Sequence, residues 1–261
     1  MEKTHAYVPG AQFPWQYKYE HMAVTTDCVI FTYEDGKLKI LLVRRGKEPY
    51  AGTWAFPGGF LHTDETAEEG ALRELREETA LTPSSPIVQL GVFSDVKRDP
   101  RERVITIAFY ALVKPSQVIG GDDAAEAAWY PVDELPPLAF DHQKIFDDAM
   151  ARLRRDIHFQ PVGFDLLDET FTIPDLQRLY EAILGVKFDR RNFHRKILAS
   201  GILDEVPPDE NVTDAQDFRA LMEKNSLPTD LKTRPGRRGS WFSLNRKRYE
   251  ELKESGLKQE F

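Results

Sequence analysis

Cysteine is all but absent: Cys28 is the one thiol in 261 residues, so no disulfide can close within the chain, and a reducing compartment suits it. Long apolar runs are missing as well. Nothing approaches eighteen consecutive apolar residues, the length a bilayer-spanning helix needs. Residues Met1 to Gln16 mix polar and aromatic side chains and lack the charged-then-apolar order of a secretion signal. Internal repeats and low-complexity tracts are also lacking. These absences predict a soluble, cytoplasmic protein with no membrane partner. Wholesale disorder is excluded too, because 41% hydrophobic residues supply a core and the net charge is only −8.

That charge is unevenly spread. Residues 1–150 hold 15 basic against 24 acidic side chains, whereas residues 151–261 hold 20 against 19. Between 231 and 250 there are seven Lys or Arg and one Glu. Such asymmetry hints at two jobs in one chain. In the first half, short apolar runs alternate with turn signals. Strands are predicted at Val24 to Tyr33, Leu38 to Arg44, Ile87 to Phe93, Val104 to Val113 and Ala128 to Val132. Helices are predicted at Glu65 to Thr79 and Asp141 to Arg155. The mixture points to an α/β (α+β) fold, a mixed sheet with helices on its faces. The second half is richer in helix. Thr172, Pro174 and Asp175 mark one helix start and Gly185 its end; Asp189 caps a second helix that stops at Gly201. The boundary falls around 155–162, giving domains of 1–158 and 159–261.

The segment from Gly59 to Leu81 carries the most chemistry. On a helix, Glu74, Glu77 and Glu78 are three and four residues apart and share one face. Their mutual repulsion is relieved by a divalent cation, and hard oxygen ligands suit magnesium. Arg73 and Arg76 would orient or partly neutralise these carboxylates, while Ala71, Leu72 and Leu75 supply the apolar face. The alternative is a solvated helix with Glu/Arg pairs, each worth a few tenths of a kcal/mol.

Gly59, Glu65, Arg73, Glu74, Glu77 and Glu78 together resemble the Nudix box, with Ala80 where that box has its late glycine. If that position requires a left-handed backbone, alanine costs roughly 1–2 kcal/mol there. The resemblance covers about residues 20–155, and Trp54 to Gly59 is similar to the entry that precedes the box. It implies hydrolysis of a nucleoside diphosphate linked to another group, with Mg2+ (or Mn2+) on Glu74, Glu77 and Glu78. Arg73 would assist, Gly58 and Gly59 would lie against the substrate, and Glu77, Glu78 or a carboxylate of the 122–126 loop would activate water. Arg98, Arg101 and Arg103 carry paired donors that match pyrophosphate oxygens, against the alternative of a solvated loop. Cys28, within a strand pattern, is read as core.

The tail carries a second signal. Two capped helices joined through Gly185 to Phe188 have a helix-turn-helix layout. The second opens with Arg190, Arg191, Asn192, His194 and Arg195, donors for phosphates and base edges, while Ile197, Leu198 and Ile202 would pack inward. Arg237 and Arg238, in the basic stretch before Trp241, would follow a phosphate backbone as a wing. The alternative is an accessory helical domain with a solvated basic face. With the box, these segments resemble Nudix-related transcriptional regulators, in which the Nudix domain senses ADP-ribose or a sugar and a winged helix binds duplex DNA, commonly as a dimer. Two functions stay open: a metabolite-responsive regulator that keeps hydrolytic capacity, and a purely catalytic Nudix hydrolase, similar to ADP-ribose pyrophosphatases, with an accessory tail.

Overall fold

The computed structural model describes residues 19–83, 86–121, 124–157, 162–206 and 240–254. Strand β1 (Ala23–Glu34) turns into β2 (Lys37–Arg45) through Asp35 and Gly36, both at positive φ, as a two-residue hairpin loop requires. Only Phe31 to Glu34 pair with Lys37 to Ile40. Beyond that point the two strands part, and a narrow ribbon fills the wedge. Its first arm, β3 (Trp54–Ala55), pairs with Arg44 and Val43; its second, β4 (Gly58–Phe60), pairs with Asp27 to Thr25. Pro57, between the arms, accepts a hydrogen bond from the Cys28 amide at 2.8 Å.

On its other edge β1 runs parallel to β6 (Val104–Leu112), which pairs with β5 (Val88–Phe93), while β7 (Ala124–Pro131) lies antiparallel to β2. The result is a seven-stranded mixed sheet covered on both faces. Side chains alternate across a strand, so Cys28 and Ile30 face one way and Val29 and Phe31 the other. The first pair packs with Ala71 and Leu75 of helix α1 (Ala67–Thr79). The second packs with Ile145, Ala149 and Leu153 of α2 (His142–Asp156). Burial on both faces explains why β1 reads as a continuous apolar run.

After a short 3-10 turn at Val162–Leu166 come α3 (Ile173–Leu184), α4 (Arg190–Ala199), the hairpin of β8 (Leu203–Val206) with β9 (Trp241–Leu244), and α5 (Arg246–Glu254). This is a small winged helix. Thr172 and Asp175 form a reciprocal capping box on α3, Gly185 closes that helix at φ 69°, and Asp189 caps α4. Ile197 and Ile202 are fully buried, but Leu198 is 41% exposed. Its expected inward packing fails because α4 covers its core with Phe193 and Ile197, four residues apart, and Leu198 lies off that stripe.

The two halves share one apolar core that runs from Val29 through Leu153 to Leu176, Tyr180 and Phe193. Helix α2 is the common wall. Near its C-terminus, Asp156 accepts hydrogen bonds from the Tyr110 hydroxyl (2.5 Å) and Arg152 Nε (2.6 Å), and Arg154 Nε donates to the Ile183 carbonyl (3.0 Å). No helix among the described residues is long and apolar enough to cross a membrane. Leu153→Ala opens a cavity at this wall, so stability should fall by about 2–5 kcal/mol. Because the core is shared, denaturant unfolding followed separately in the sheet and in the winged helix should shift together. A shift confined to one half would break the single-core description.

Candidate functional site

Helix α1 is fixed at both ends before any site chemistry begins. Thr66 Oγ1 accepts from the Glu69 amide, and the Glu69 carboxylate accepts from the Thr66 amide at 2.8 Å. The helix therefore starts two residues later than the sequence suggests, leaving Glu65 outside it. At the far end Ala80 adopts φ 58°, and its amide donates to the Arg76 carbonyl. The amides of Ile119 and Gly121 donate to the carbonyls of Thr79 and Glu78, which satisfies the last turn and brings the 119–121 loop to the helix end.

Arg73 organises the carboxylates. Its Nε and Nη2 grip both oxygens of Glu65 (2.9 and 2.7 Å), Nη1 bridges Glu74 (2.7 Å) and Glu77 (3.0 Å), and Nη2 reaches the Phe60 carbonyl. The paired hydrogen bonds from Arg73 hold the Glu65 carboxyl down to about 2. Glu74 and Glu78 go the other way. Burial raises Glu74, and burial pushes Glu78 up to about 8, with the charges of Glu74 and Asp27 acting in the same direction. The Gly58 amide donates to Glu78 at 2.9 Å and opposes that rise. Glycine is required in this ribbon: a Cβ on Gly58 would sit 2.0 Å from the Thr26 carbonyl oxygen, and one on Gly59 2.4 Å from Glu74. Arg76 is exposed and holds none of these carboxylates.

Among the described residues no three His, Cys, Asp or Glu side chains converge closely enough to hold a metal as they stand. The reason is visible: Arg73 engages Glu74 and Glu77, while the Gly58 amide engages Glu78. The donor set still fits a hard divalent cation. The charge of Glu77 opposes ionisation of Glu74, the charge of Glu74 opposes ionisation of Glu78, and no described cationic side chain lies within ion-pair distance of Glu78. A cation there would relieve a buried like-charge pair.

The three loop arginines are not brought together as a set. Arg98 is buried, gripping Asp141 through Nε and Nη2 (3.1 and 2.8 Å) with Asp27 at 3.6 Å, so its donors face inward. Arg103 donates to the carbonyls of Ser94 and Asp95. Arg101 pairs with both oxygens of Asp99 and lies over the Phe60 ring at 5.2 Å, beside the site. Several residues under the site escape sequence reading. Asp27 accepts from the Thr106 hydroxyl, and His142, fully enclosed, accepts through Nδ1 from the Phe56 amide with Nε2 3.5 Å from Asp27. Burial lowers the His142 pKa, favouring the neutral ring. No spacing rule connects these positions; the fold alone does. Glu126, of the anticipated 122–126 loop, lies 3.9 Å from Arg44, while Asp122 and Asp123 fall outside the described residues. Cys28 is buried as expected, its thiol donating to the Ala71 carbonyl.

In the winged helix, Arg190, Arg191, His194 and Arg195 are exposed on α4, and Asn192 is half-buried with its oxygen accepting from Arg195. Phe193 and Ile197 anchor the opposite face. Arg237 and Arg238 lie outside the described residues.

Comparison with known proteins matches these two geometries. Residues 22–149 match the Nudix domain, and residues 163–217 match the NrtR DNA-binding winged helix domain. An ADPR responsive transcriptional repressor NtrR of Acinetobacter baylyi is 32% identical over 194 residues, covering 72% of this chain and 76% of that protein. The chain belongs to the Nudix family. Within that family it has the two-domain architecture of the NrtR regulators. The crystal structure of Shewanella oneidensis NrtR complexed with a 27mer DNA superimposes with a TM-score of 0.66 at 30% identity, covering 87% of this chain and 95% of that one. An ADP-ribose pyrophosphatase of Methanocaldococcus jannaschii is 45% identical over 132 residues, 51% of this chain and 75% of that enzyme. The carboxylate helix is thus set in a Nudix hydrolase fold, a fold that typically binds a divalent metal.

Two outcomes follow from the box geometry. Ala80 does sit in the left-handed region, so Ala80→Gly should stabilise the protein by about 1 kcal/mol, offset in part by the freer unfolded chain. Thermal unfolding checks this; an unchanged or lower midpoint contradicts it. For Glu78, the folded pKa of about 8 exceeds the ordinary 4.5. Its contribution to stability is therefore fully present below 4.5 and is lost as pH rises through 8. In cation-free buffer Glu78→Gln should match the wild type at pH 5 and unfold at higher urea above pH 8. Parallel pH profiles for the two proteins would exclude this.

Proposed function

We propose that this Nudix protein is a metabolite-responsive transcriptional regulator that binds a nucleoside diphosphate-linked ligand, with ADP-ribose the leading candidate, and retains divalent-cation-dependent hydrolysis of it. The observation that carries the reading is the single apolar core that ties a complete carboxylate helix to a winged helix with an exposed basic α4. The similarity to the ADPR responsive repressor of Acinetobacter and to the ADP-ribose pyrophosphatase of Methanocaldococcus supports the choice of ligand.

In this reading the Nudix domain spans 1–158, the winged-helix domain 159–261, and the protein acts as a cytoplasmic homodimer on a two-fold operator. Glu74, Glu77 and Glu78 would hold Mg2+ or Mn2+. Bound there, the metal would neutralise the crowded carboxylates and screen the charge of a diphosphate. Glu77, the most exposed of the three, is the carboxylate best placed to take a proton from an attacking water. Arg73 keeps Glu74 and Glu77 aligned, and Gly58 and Gly59 let the backbone approach the ligand. Arg190, Arg191, Asn192, His194 and Arg195 meet bases and phosphates, and Arg237 and Arg238 follow the backbone.

Hydrolysis of ADP-ribose with magnesium, assayed beside binding to the chain's own upstream DNA, tests both halves. Glu78→Gln should lower turnover by roughly 10²-fold or more without unfolding the chain. Operator affinity should fall steeply with salt, and changes at Arg190 or Asn192 should relax sequence choice. Ligand should release the DNA with a coupling of about 1–3 kcal/mol. Chelator-insensitive turnover would remove the metal assignment. Ligand occupancy without change in operator affinity would leave a hydrolase with an accessory tail.

A further inference from the structure

Strand β1 carries two hydroxyls that the packing around them does not satisfy. Thr26 and Thr32 are both buried, and among the described residues neither Oγ1 has a hydrogen-bond partner. A hydroxyl sealed from water without a partner costs stability, and valine has nearly the same shape without that cost. Both threonines lie on the α1 face of the sheet, with Cys28, whose thiol donates to the Ala71 carbonyl, on that face between them. Their surroundings differ. Thr32 pairs with Lys39 in the first hairpin, about 20 Å along the strand from Thr26. Thr26 sits where β1 is enclosed on both edges, opposite Gly59 of β4 and Ile107 of β6.

The pairing with Gly59 locates the Thr26 side chain. Residues directly opposite in an antiparallel pair point to one face, with Cβ atoms roughly 4.5–5.5 Å apart. A Cβ on Gly59 would lie 2.4 and 2.7 Å from the two oxygens of Glu74. Thr26 therefore stands beside the Glu74 carboxyl, with no hydrogen bond made between them. Only Oε1 of Glu74 has a described hydrogen bond, from Arg73 Nη1, which also engages Glu77. A buried donor without an acceptor thus neighbours a carboxylate oxygen without a described donor. A bound cation needs that carboxylate held in a fixed direction, and carboxylate ligands are ordinarily steadied by hydrogen bonds from outside the metal's own ligands.

We propose that Thr26 is a positioning residue of the cation site, its hydroxyl donating to the Glu74 carboxylate when a divalent cation is bound. Thr26 touches neither cation nor ligand and acts through Glu74. The inference rests on the divalent-cation reading above and deepens it.

Manganese titration of the full-length protein, followed by calorimetry, tests this without any turnover. Thr26→Val should weaken Mn2+ binding by about tenfold or more, the usual effect of removing a hydrogen bond to a metal ligand. Thr26→Ser, which keeps the hydroxyl, should bind close to the wild type. Thr32→Val, which removes the other unpartnered hydroxyl, should leave Mn2+ affinity unchanged. In cation-free buffer the order reverses. There Thr26→Val should unfold at equal or higher urea than the wild type, because it deletes a polar group that has no partner in that state. A purely structural role cannot produce both results. Mn2+ binding by Thr26→Val at wild-type affinity overturns the proposal, as does equal weakening in Thr26→Ser, which would assign the loss to packing. A valine variant that unfolds at lower urea, or fails to fold, places the hydroxyl in a structural role and overturns it too. Failure of the two readings is separable. A wild type that binds no Mn2+ removes the cation reading and this inference with it. Mn2+ binding that Glu74→Gln and Glu78→Gln lose but Thr26→Val keeps removes Thr26 alone.

Discussion

Four carboxylates crowd the start and outer face of a thirteen-residue helix, and one guanidinium makes that tolerable. Arg73 grips Glu65 with two donors and bridges Glu74 to Glu77 with a third. It also ties the helix to the Phe60 carbonyl, and so to the ribbon wedged between β1 and β2. Glycine at 58 and 59 lets that ribbon come within contact of Glu74 and Thr26. What Arg73 does not reach is Glu78, whose only described hydrogen bond is from the Gly58 amide. The helix is thus partly neutralised from within and left with one buried, protonation-prone carboxyl. That residual imbalance is what makes the face receptive to a cation.

The ends of α2 lie in different parts of the molecule. At its start, Asp141 accepts both donors of Arg98 and His142 is held under Phe56, just beneath the carboxylate site. At its finish, Asp156 is tied to β6 through Tyr110, and Arg154 holds the last turn of α3. Helix α2 thus touches both the rim of the carboxylate site and the last turn of α3. A ligand that bound one position of α2 better than another would bias the winged helix. The coupling needs no separate wire, only a core that has no seam between its halves.

How far the sequence could be read follows from the range of each interaction. Local periodicity exposed α1, the alternation in β1, and the caps at Thr172 and Asp189, because each is set by residues within a few positions. The ribbon of β3 and β4 was visible only through resemblance, since arms of two and three residues have no periodicity to detect. Glu74, Glu77 and Glu78 were legible as one face, but Arg73's hold on two of them required coordinates. Arg98 reads as a pyrophosphate ligand in a basic loop, yet its partners Asp141 and Asp27 are 43 and 71 positions away in sequence, and burial turned it inward. His142 gave no signal at all. Its role comes from what the fold sets beside it.

Strain is concentrated around the same site. Ala80 closes α1 in a left-handed conformation that glycine would adopt freely, and Tyr50 and Phe140, whose rings meet at 4.8 Å, adopt it too. Asp35, in the distant hairpin turn, is the remaining described non-glycine residue at positive φ, and there the turn type explains it. Strain of this kind costs of order 1–3 kcal/mol per residue and persists only where surrounding structure over-determines it. At Phe140 the small cluster of Val43, Ala55 and Ala139 contributes to that determination. Arg45, Arg101 and Tyr50 surround the Phe140 ring from the other side.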